Sequence, residues 1–425
     1  MDYMLRIFLF GFCCFLIEAH ADNEGKTWVL LVAGSNTWDN YRHQADVCHA
    51  YQIARTHGIP DERIVVMMYD DIASNKVNPT PGKMINKPGG KDVYHNVPTD
   101  YTGAAVNPSV FLKVLSGINP KTGSQKFINS TSKDNIFVYF ADHGGPGLLA
   151  FPDDVLQVGD LNKTIHKIQK KKQFKKLVFY VEACESGSMF DGVLTGLKNV
   201  YAMTASNSEE SSYACYYSEL YDTYLGDVYS VNWLEDSDKE DLKKETIEKQ
   251  FDIVRKETNT SHVTQFGDKK VAESHLSEFL GQKSGIFEEH SEESSPMDTI
   301  SSRDVSLDLI FRTKNAALIK LTKAKRQFMR EIFDQIYLGV QGINENDLTS
   351  IKTDKILLKH SDYSCYSQVV DGLHKNCFNL AKHSYALEFL QHFVNICHYN
   401  IKTVHVLDSI NNVCKHWIST FDSIL

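Results

Sequence analysis

Two apolar runs each lead directly into a reactive residue: Ile136-Phe-Val-Tyr-Phe140 precedes Ala141-Asp-His-Gly-Gly145, and Leu177-Val-Phe-Tyr-Val181 precedes Glu182-Ala-Cys-Glu-Ser-Gly187. Short runs of Val, Ile, Phe and Tyr bounded by Gly and charge are typical of buried strands. Ligands of an open α/β sheet bind outside the carboxyl ends of its strands, so we expect His143 and Cys184 at one edge. A thiol near an imidazole becomes a nucleophile, and the pair therefore predicts a Cys–His acyl-transfer site.

A purely structural role is the alternative for each residue alone, because most cysteines are small buried hydrophobes and many histidines are satisfied in a core. Two matched residues after two strands favour the catalytic interpretation. The backbone N–H groups of Gly144 and Cys184 are then the candidate donors to an oxyanion. Ser186 and Ser188 offer a serine nucleophile, but the chain has no Gly-x-Ser-x-Gly elbow there, so the thiol is preferred.

Other polar residues are predicted to lie at the same sheet edge. Asn40 follows the first strand and could hold a catalytic imidazole by accepting its ring N–H. A pocket with both positive and negative side chains suits a ligand group that both donates and accepts hydrogen bonds, and a carboxamide does so. A protonated Asp side chain, present at acid pH, would be second best. For each residue alone, an ordinary ion pair is the alternative. The candidate pocket residues are Arg42, His43, Glu182, Ser211, Ser212, Tyr213 and Asp227.

Strand and helix patterns alternate along the first half of the chain, which predicts βαβ units and a parallel sheet covered by helices. The long segment Asp70–Thr102, rich in Pro, Gly and Asn, is predicted to be a functional or mobile loop. Dense mixed charge over Trp233–Thr258 predicts one exposed helix. The predicted strands are Trp28–Gly34, Ile64–Tyr69, Ile136–Phe140, Leu177–Val181 and Val200–Thr204, and the predicted helices are Tyr41–His57, Pro108–Leu115 and Leu161–Phe174.

The C-terminal part of the chain has a different pattern. Ser284–Arg303 is polar, acidic and rich in serine, which indicates a linker or cleavable segment. After it, apolar residues recur at helical spacing in three stripes with few strand signals, so we expect an all-α domain. The stripes contain Leu321, Ala324, Phe328, Ile332 and Ile336; Ala386, Phe389, Leu390, Phe393, Val394 and Cys397; and Leu407, Ile410, Val413, Cys414 and Trp417.

Charge is unevenly distributed over the 425 residues, whose net charge is −9 and pI about 6.0. From Ser301 onward the chain has 15 basic and 12 acidic residues, and the remainder has 30 and 42. An acidic body and a mildly basic tail can attract each other. The acidic balance argues against a nucleic-acid partner, which would require a basic face.

The N-terminus predicts a signal peptide. The apolar run Ile7–Ile17 follows Arg6 and precedes the small-x-small sequence Ala19-His20-Ala21, although Asp2 is unusual there. The run is shorter than the roughly 20 residues that cross a bilayer, and no later segment is apolar enough for a span. We therefore expect a protein of the secretory route, in a lysosome, an endosome or an extracellular digestive lumen.

The nine cysteines are consistent with that compartment. Cys13 and Cys14 belong to the signal, and Cys48 and Cys215 are scattered in the body beside Cys184. Four cysteines in the tail permit three pairings, and two disulfides are favoured over a zinc site because no Cys-x-x-Cys spacing is present. They are Cys365, Cys377, Cys397 and Cys414, and the glycosylation sequons are at Asn129, Asn162 and Asn259.

Several motifs resemble the legumain family of asparaginyl endopeptidases: Ser35-Asn36, Asn40–Asp46, Tyr69–Asp71, Asp142–Gly144, Glu182–Ser188 and Glu210–Ala214. The resemblance covers nearly the whole chain. It implies a caspase-like α/β fold without cofactor or metal, with Cys184 as nucleophile, His143 as base and Asn40 as a third catalytic residue. It also implies an asparagine pocket made of Arg42, His43, Glu182, Ser212 and Asp227. Gly145-Pro146 departs from the family pattern and concerns the detail of one loop.

The tail resembles the prodomain of that family, a helical cap over the site. The resemblance implies disulfides between Cys365 and Cys397 and between Cys377 and Cys414. The expected organisation is a signal peptide at 1–21, a catalytic domain at 27–284, a linker and activation peptide at 285–340 and a disulfide-stapled prodomain at 341–425. The implied partners are protein and peptide substrates containing Asn, the chain's own prodomain as inhibitor, and cystatin-type inhibitors.

We expect activation at acid pH, where protonation of carboxylates in the body weakens their attraction to the basic tail. Self-cleavage is expected at Asn315, then at Asp304 and Asp308. Two alternatives stay open. One is the catalytic subunit of the glycolipid-anchor transamidase, which belongs to the same family and would require a membrane tether. The other is a secreted protein that uses the cleft to bind peptides without cleaving them.

Overall fold

A computed structural model describes residues 25–287 and 297–424, and the predicted signal peptide lies outside them. We call residues 25–287 the body and residues 297–424 the cap. The strands are β1 (Thr27–Ala33), β2 (Ile64–Met67), β3 (Asn135–Ala141), β4 (Gly144–Gly145), β5 (Leu148–Ala150), β6 (Val155–Gln157), β7 (Lys176–Glu182), β8 (Val200–Thr204), β9 (Tyr213–Ser218), β10 (Thr223–Asp227), β11 (Thr264–Gly267) and β12 (Thr299–Ser301).

Helices surround this set of strands and make up most of the cap. Those of the body are α1 (Tyr41–Thr56), α2 (Pro108–Leu115), α3 (Val158–Lys170), α4 (Val228–Lys239), α5 (Ile247–Glu257) and α6 (Ser277–Leu280). Those of the cap are α7 (Val305–Arg312), α8 (Ala316–Gly339), α9 (Glu345–Thr353), α10 (Tyr363–Asn376), α11 (Leu390–His398) and α12 (Thr403–Ile424).

The body is built on a six-stranded sheet with the order β11-β8-β7-β3-β1-β2. All neighbouring strands in it are parallel except β11, which runs antiparallel to β8. The pairing of β3 with β7 puts Ala141 opposite Glu182, so the residues that follow the two strands emerge at the same edge. The predicted class, a mainly parallel sheet covered by helices and followed by an all-α domain, is confirmed.

Successive residues of β1 enter different cores because side chains of a strand alternate between its faces. Val29 and Leu31 pack with residues of α1, α4 and α5 on one face of the sheet. Leu30 and Val32 pack with residues of α2 and α3 on the other. Burial on both faces explains why the central strands are continuous apolar runs rather than alternating ones.

One helix prediction was wrong. Trp233–Thr258 does not form a single helix, because α4 ends at Lys239 and α5 begins at Ile247. Thr246 caps the second helix, its side-chain oxygen accepting a hydrogen bond from the Lys249 N–H. Mixed charge continues through the break, so the charge pattern alone does not reveal where the chain turns.

The range expected to be linker and activation peptide is structured where it is described. Strand β12 joins β9 in an antiparallel pair, and α8 buries Ile332, Phe333 and Ile336 in the core of the cap. That core also includes Leu148 and Val155, which come from the β4–β6 hairpin of the body. The cap therefore packs directly on the body. No helix among residues 25–287 and 297–424 is long and apolar enough to cross a membrane.

Two disulfides link the helices of the cap, Cys365 to Cys397 and Cys377 to Cys414. These are the pairs that the family resemblance implies. The first joins α10 to α11, and the second joins the end of α10 to α12. Each closes a long loop of the chain and so restricts the unfolded cap. Cys48, Cys184 and Cys215 are free and buried in the body.

Candidate active site

Asn40 and His143 meet at the carboxyl edge of the sheet. The Asn40 Oδ1 lies 2.9 Å from the His143 Nε2, and the Asn40 amide donates to the Asn36 carbonyl at 2.9 Å. An amide oxygen only accepts, so the hydrogen on the imidazole is at Nε2. The other ring nitrogen, Nδ1, is buried and has no hydrogen-bond partner among the described residues. Its lone pair is therefore available to act as a base.

Cys184 follows the neighbouring strand and is completely buried beneath the cap. Its Sγ receives a long hydrogen bond from the Ser212 N–H at 3.4 Å. Gly144 packs against it so closely that a Cβ at 144 would lie 2.3 Å from the Cys184 carbonyl oxygen, which only glycine avoids. Glu185 has a positive φ of 46°, so the chain turns sharply directly after the thiol. The backbone of Gly144 thus lies against that of Cys184.

A buried ion pair forms one wall of the candidate pocket. The Arg42 Nε donates to the Asp227 Oδ1 at 2.8 Å, and neither side chain is exposed. His43 lies beside them, with its Nε2 3.5 Å from the Asp227 Oδ2 and its Nδ1 2.6 Å from the Ser35 Oγ. The helix α1 carries both Arg42 and His43, and β10 ends at Asp227, so two distant elements build this wall.

Glu182 is the other acidic residue of the candidate pocket. Its Oε2 accepts from the Ser230 N–H at 3.1 Å and from the Ser230 Oγ at 3.0 Å, which fixes the carboxylate. The pocket atoms without a hydrogen-bond partner in the described residues include the donor Arg42 Nη2 and the acceptors Glu182 Oε1 and Asp227 Oδ2. Buried polar groups are seldom left unpaired, so an unpaired donor and acceptor point to a ligand that supplies both partners.

The cap lies across this site. Strand β12 pairs with β9, and the Ser302 N–H donates to the Ser212 carbonyl at 3.0 Å. The Ser302 Oγ lies 3.3 Å from the Ser212 Oγ. Arg303, the next residue, donates to both carboxylate oxygens of Glu185 at 2.9 and 2.5 Å and to the Gly144 carbonyl at 3.1 Å. Residues of the cap thus lie both at the candidate pocket and next to Cys184.

A cavity of about 420 Å³ remains where body and cap meet. Its walls include Asn40, Asp142 and His143 of the body and Ser302 and Lys382 of the cap. The cleft is therefore covered by the cap without being completely filled.

Burial determines the protonation of the catalytic pair. It raises the pKa of the Cys184 thiol, which the nearby Arg303 guanidinium lowers in part. Burial also lowers the pKa of His143 well below its usual range, and the positive charges of Arg42 and Arg303 act in the same direction. Under the cap, both groups are therefore neutral at neutral pH.

His43, Asp142 and His143 place potential metal-ligand atoms within 4.8 Å of one another. The Arg42 guanidinium acts electrostatically on all three groups and opposes a bound cation. Acid–base chemistry therefore suits this cluster better than metal binding.

Sequence reasoning missed several residues of the site. Asp142 lies 3.3 Å from the His43 Nδ1, Ser35 contacts the same ring, and Ser302, Arg303 and Glu185 make the contacts described above. For Asp142 and Glu185, adjacency to His143 and Cys184 was an available signal. Ser302 and Arg303 carried none, because the segment that contains them has linker composition.

Residues predicted for modification and cleavage lie in different environments. Asn129 and Asn259 are exposed, whereas Asn162 is partly buried within α3. Asn315 is exposed in the turn before α8, where its side chain accepts from the Ala317 and Leu318 N–H groups. Asp304 pairs with Arg326, and Asp308 pairs with Arg312 and accepts from the Tyr224 hydroxyl.

Comparisons with known proteins agree with this arrangement. The model of the peptidase C13 family matches residues 27–282, and that of the legumain prodomain matches residues 318–414. Human legumain is 44% identical over 418 residues, covering 92% of this chain and 94% of the relative. The vacuolar-processing enzyme delta-isozyme of Arabidopsis thaliana is 40% identical (92% and 91% covered), and the hemoglobinase of Schistosoma japonicum is 39% identical (97% and 98%).

A solved structure of caspase-1 from Spodoptera frugiperda is also similar, at 10% identity and a TM-score of 0.36 over 61% of this chain and 91% of that one. A similarity this weak does not define the fold, which rests on the strand order given above. The C13 match spans nearly all of the described body, and the relatives cover 92% or more of this chain, so the assignment rests on most of the chain. The protein belongs to the peptidase C13 family of cysteine endopeptidases and carries a legumain prodomain.

Proposed function

We propose that this protein is an asparaginyl endopeptidase, made as a zymogen, which cleaves after Asn and, at acid pH, after Asp. The observation that supports the specificity is that the donor Arg42 Nη2 and the acceptor Glu182 Oε1, on two residues of the proposed pocket, are buried without a hydrogen-bond partner in the described residues. An Asn side chain supplies one carbonyl oxygen and one NH₂ group, which match these two atoms. Asp offers the same shape, and its protonated form, favoured below a pKa of about 4, supplies a donor.

The catalytic roles follow from the hydrogen bonds. Asn40 holds the His143 imidazole with Nδ1 unprotonated, so Nδ1 removes the proton of the Cys184 thiol. The sulfur attacks the backbone carbonyl carbon of the Asn residue, and the Gly144 and Cys184 N–H groups stabilise the oxyanion. The C–N bond then breaks, and His143 gives its proton to the departing amine. Water, deprotonated by the same imidazole, cleaves the thioester and restores the thiol.

The cap would keep the enzyme inactive. Ser302 lies beside the pocket wall, hydrogen-bonded to Ser212, and Arg303 is held by Glu185 directly after the nucleophile. The serine side chain is short and has no carboxamide to place between Arg42 and Glu182. The segment therefore blocks substrate without being a good substrate itself.

Acid release is best attributed to buried groups rather than to the surface charges of body and tail. The exposed pair between Lys382 and Asp153 contributes little free energy, because both side chains are more than half exposed. Burial lowers the pKa of His383 and of His392 in the cap to about 4. Both histidines are neutral in the folded cap and would be protonated if it unfolded, so acid weakens the folded cap.

Secretion to a lysosomal or digestive compartment fits an enzyme that acid activates, and the human, plant and schistosome relatives are consistent with the secretory route. We expect sugar at Asn129 and Asn259, which are exposed, ahead of Asn162, which is partly buried. Protein substrates, the chain's own cap and cystatin-type inhibitors are the proposed partners, and all would occupy the same cleft.

Fluorogenic peptides that differ only in Asn, Asp or Gln before the scissile bond test this proposal on acid-activated protein. We expect turnover of the Asn peptide, weaker turnover of the Asp peptide that rises with falling pH, and little with Gln. Cys184→Ala should abolish all three without changing the thermal unfolding temperature. Binding without turnover would favour the peptide-binding alternative, and turnover that requires an added amine would favour a transamidase.

A further inference from the structure

The proposed asparagine pocket contains two buried carboxyl groups and one guanidinium, and a third buried carboxyl group, that of Asp46, lies beside it. Asp46, Glu182 and Asp227 are at most 1% exposed, and so is Arg42. Three carboxylates around one cation would leave an excess of buried negative charge, which is costly unless a proton neutralises part of it. The hydrogen bonds of these groups show where that proton belongs.

Asp46 lies one helical turn after Arg42 on α1 and close to Asp227. Its Oδ1 accepts a hydrogen bond from the Asn86 amide at 2.6 Å, whereas its Oδ2 has no partner in the described residues. In Asp227, Oδ1 is bound to Arg42 and Oδ2 has no hydrogen bond within the described residues, although the Ser302 hydroxyl of the cap also approaches this carboxylate. The two carboxyl groups are within hydrogen-bonding reach of each other. Two buried carboxyl groups in this position are satisfied if they share one proton.

We propose that Asp46 is the protonated member of this pair, and that it donates a hydrogen bond to Asp227 and so holds the Asp227 carboxylate in the orientation that the asparagine pocket requires. Asp46 is thus a positioning residue, which acts on substrate through Asp227. This inference rests on the proposed asparaginyl specificity and adds a residue to which that specificity is sensitive.

The proton belongs on Asp46 because only Asp227 has a guanidinium beside it. Burial and the negative charges of Asp227 and Glu182 raise the pKa of Asp46 well above its usual range. Arg42 counteracts the effect of burial on the pKa of Asp227. The titratable groups that face Asp46 from the surrounding elements are Asp227 on β10, Glu182 on β7, Tyr139 on β3, Cys215 on β9 and Cys48 on its own helix.

Asn86 determines which oxygen of Asp46 carries the proton. Its amide NH₂ donates both to the Asp46 Oδ1 and, at 2.9 Å, to the Leu225 carbonyl just before the pocket residue Asp227. Its own Oδ1 lies 2.9 Å from the His49 Nδ1. Because Asp46 Oδ1 accepts this hydrogen bond, the proton lies on Oδ2, which is the atom that can donate to the Asp227 carboxylate. The long loop Asp70–Thr102 thus reaches the pocket through Asn86.

The test compares Asp46→Asn with Asp46→Ala in the acid-activated enzyme. An Asn at 46 can accept from Asn86 and donate to Asp227, so it reproduces the protonated acid, whereas Ala cannot. We expect Asp46→Ala to lower kcat/KM for the Asn peptide about 10- to 100-fold, mainly through KM, which corresponds to the loss of one buried hydrogen bond. Asp46→Asn should recover most of that loss. Asp100→Asn, the same change at a buried carboxylate that pairs with Lys126 elsewhere, is the matched control.

The pH profile provides a readout that a purely structural role would not move. As pH rises and Asp46 ionises, KM of the wild type should increase, whereas KM of Asp46→Asn should not follow that ionisation. An Asp46→Asn variant that is as impaired as Asp46→Ala would overturn the inference. If the Ala variant does not fold, an Asp46→Asn variant whose KM still rises at alkaline pH as in the wild type would overturn it. Wild-type protein that fails to cleave after Asn would instead refute the proposed function, so the two failures are distinguishable.

Discussion

The Arg303 guanidinium and the Glu185 carboxylate form a two-bond ion pair, with Nη1–Oε1 and Nη2–Oε2 distances of 2.9 and 2.5 Å, directly after Cys184. Both side chains are less than a tenth exposed. Planar groups that face each other through two hydrogen bonds resist displacement better than single surface contacts. The cap is thus attached to the body at the residue next to the Cys184 thiol.

Arg303→Ala should make the uncleaved protein active at neutral pH. Breaking a buried ion pair by removing one partner costs about 3–5 kcal/mol, because Glu185 would be left buried without its cation. Turnover of the Asn peptide by the intact chain at pH 7 measures the effect. Arg330→Ala removes an arginine of the same cap that is more than half exposed, and it should change little. An intact Arg303→Ala chain that stays inactive at pH 7 would show that other contacts hold the cap.

Ser302→Asn should convert the inhibitory segment into a substrate. The Ser302 backbone is hydrogen-bonded to Ser212 beside the pocket, so an Asn there would place its carboxamide toward Arg42 and Glu182. We expect self-cleavage between residues 302 and 303, detected as a new N-terminus at Arg303 by mass spectrometry. Ser301→Asn introduces the same residue one position earlier, on the strand that pairs with Tyr213, and serves as control. Equal cleavage after 301 and 302 would contradict the register.

The cap should lose stability as the pH falls from about 6.5 to about 4. In the folded cap the pKa of His383 and of His392 is about 4, which is lower than in the unfolded chain. Their contribution to the free energy of unfolding is therefore complete above about pH 6.5 and is lost as the pH falls toward 4. At pH 5 each should cost about 1–2 kcal/mol. Unfolding of Cys184→Ala protein at pH 7 and pH 5 measures the difference.

Replacement by Phe keeps the ring packing of His392 on Tyr337 and removes its titration. The double variant His383→Phe and His392→Phe should therefore lose much less stability between pH 7 and pH 5. His416→Gln, on an exposed histidine of the same cap, should behave like the parent protein. The same loss in the double variant would exclude these histidines as the acid-sensitive groups.

Asn315→Ser should remove the first activation cleavage. Asn315 is exposed and precedes α8, whereas Asp308 is engaged by Tyr224 and Arg312. Serine is also a good N-cap residue, so the helix should stay intact and any effect can be attributed to specificity. Mass spectrometry of acid-treated protein should show the fragment ending at 315 in the parent and not in the variant. Unchanged fragments would place the first cleavage elsewhere.

Local pattern was sufficient for much of the fold. The two apolar runs before His143 and Cys184 predicted adjacent strands, and the chain forms them as a parallel pair in register. Alternating strand and helix patterns predicted the covered sheet. The prediction of a single helix over Trp233–Thr258 was wrong because the N-cap residue Thr246, rather than charge periodicity, decides where the second helix begins.

By itself, the sequence determined the fold class and the residue types that can perform the chemistry, because both depend on short-range periodicity and on groups next to strand ends. Only the tertiary structure decided which atoms stay unpaired in the pocket, that Asp46 lies within reach of Asp227, and that Arg303 reaches a carboxylate 118 positions earlier in the chain. The physical reason is that burial and hydrogen-bond pairing are properties of contacts between distant segments. No local pattern encodes which buried donor lacks an acceptor.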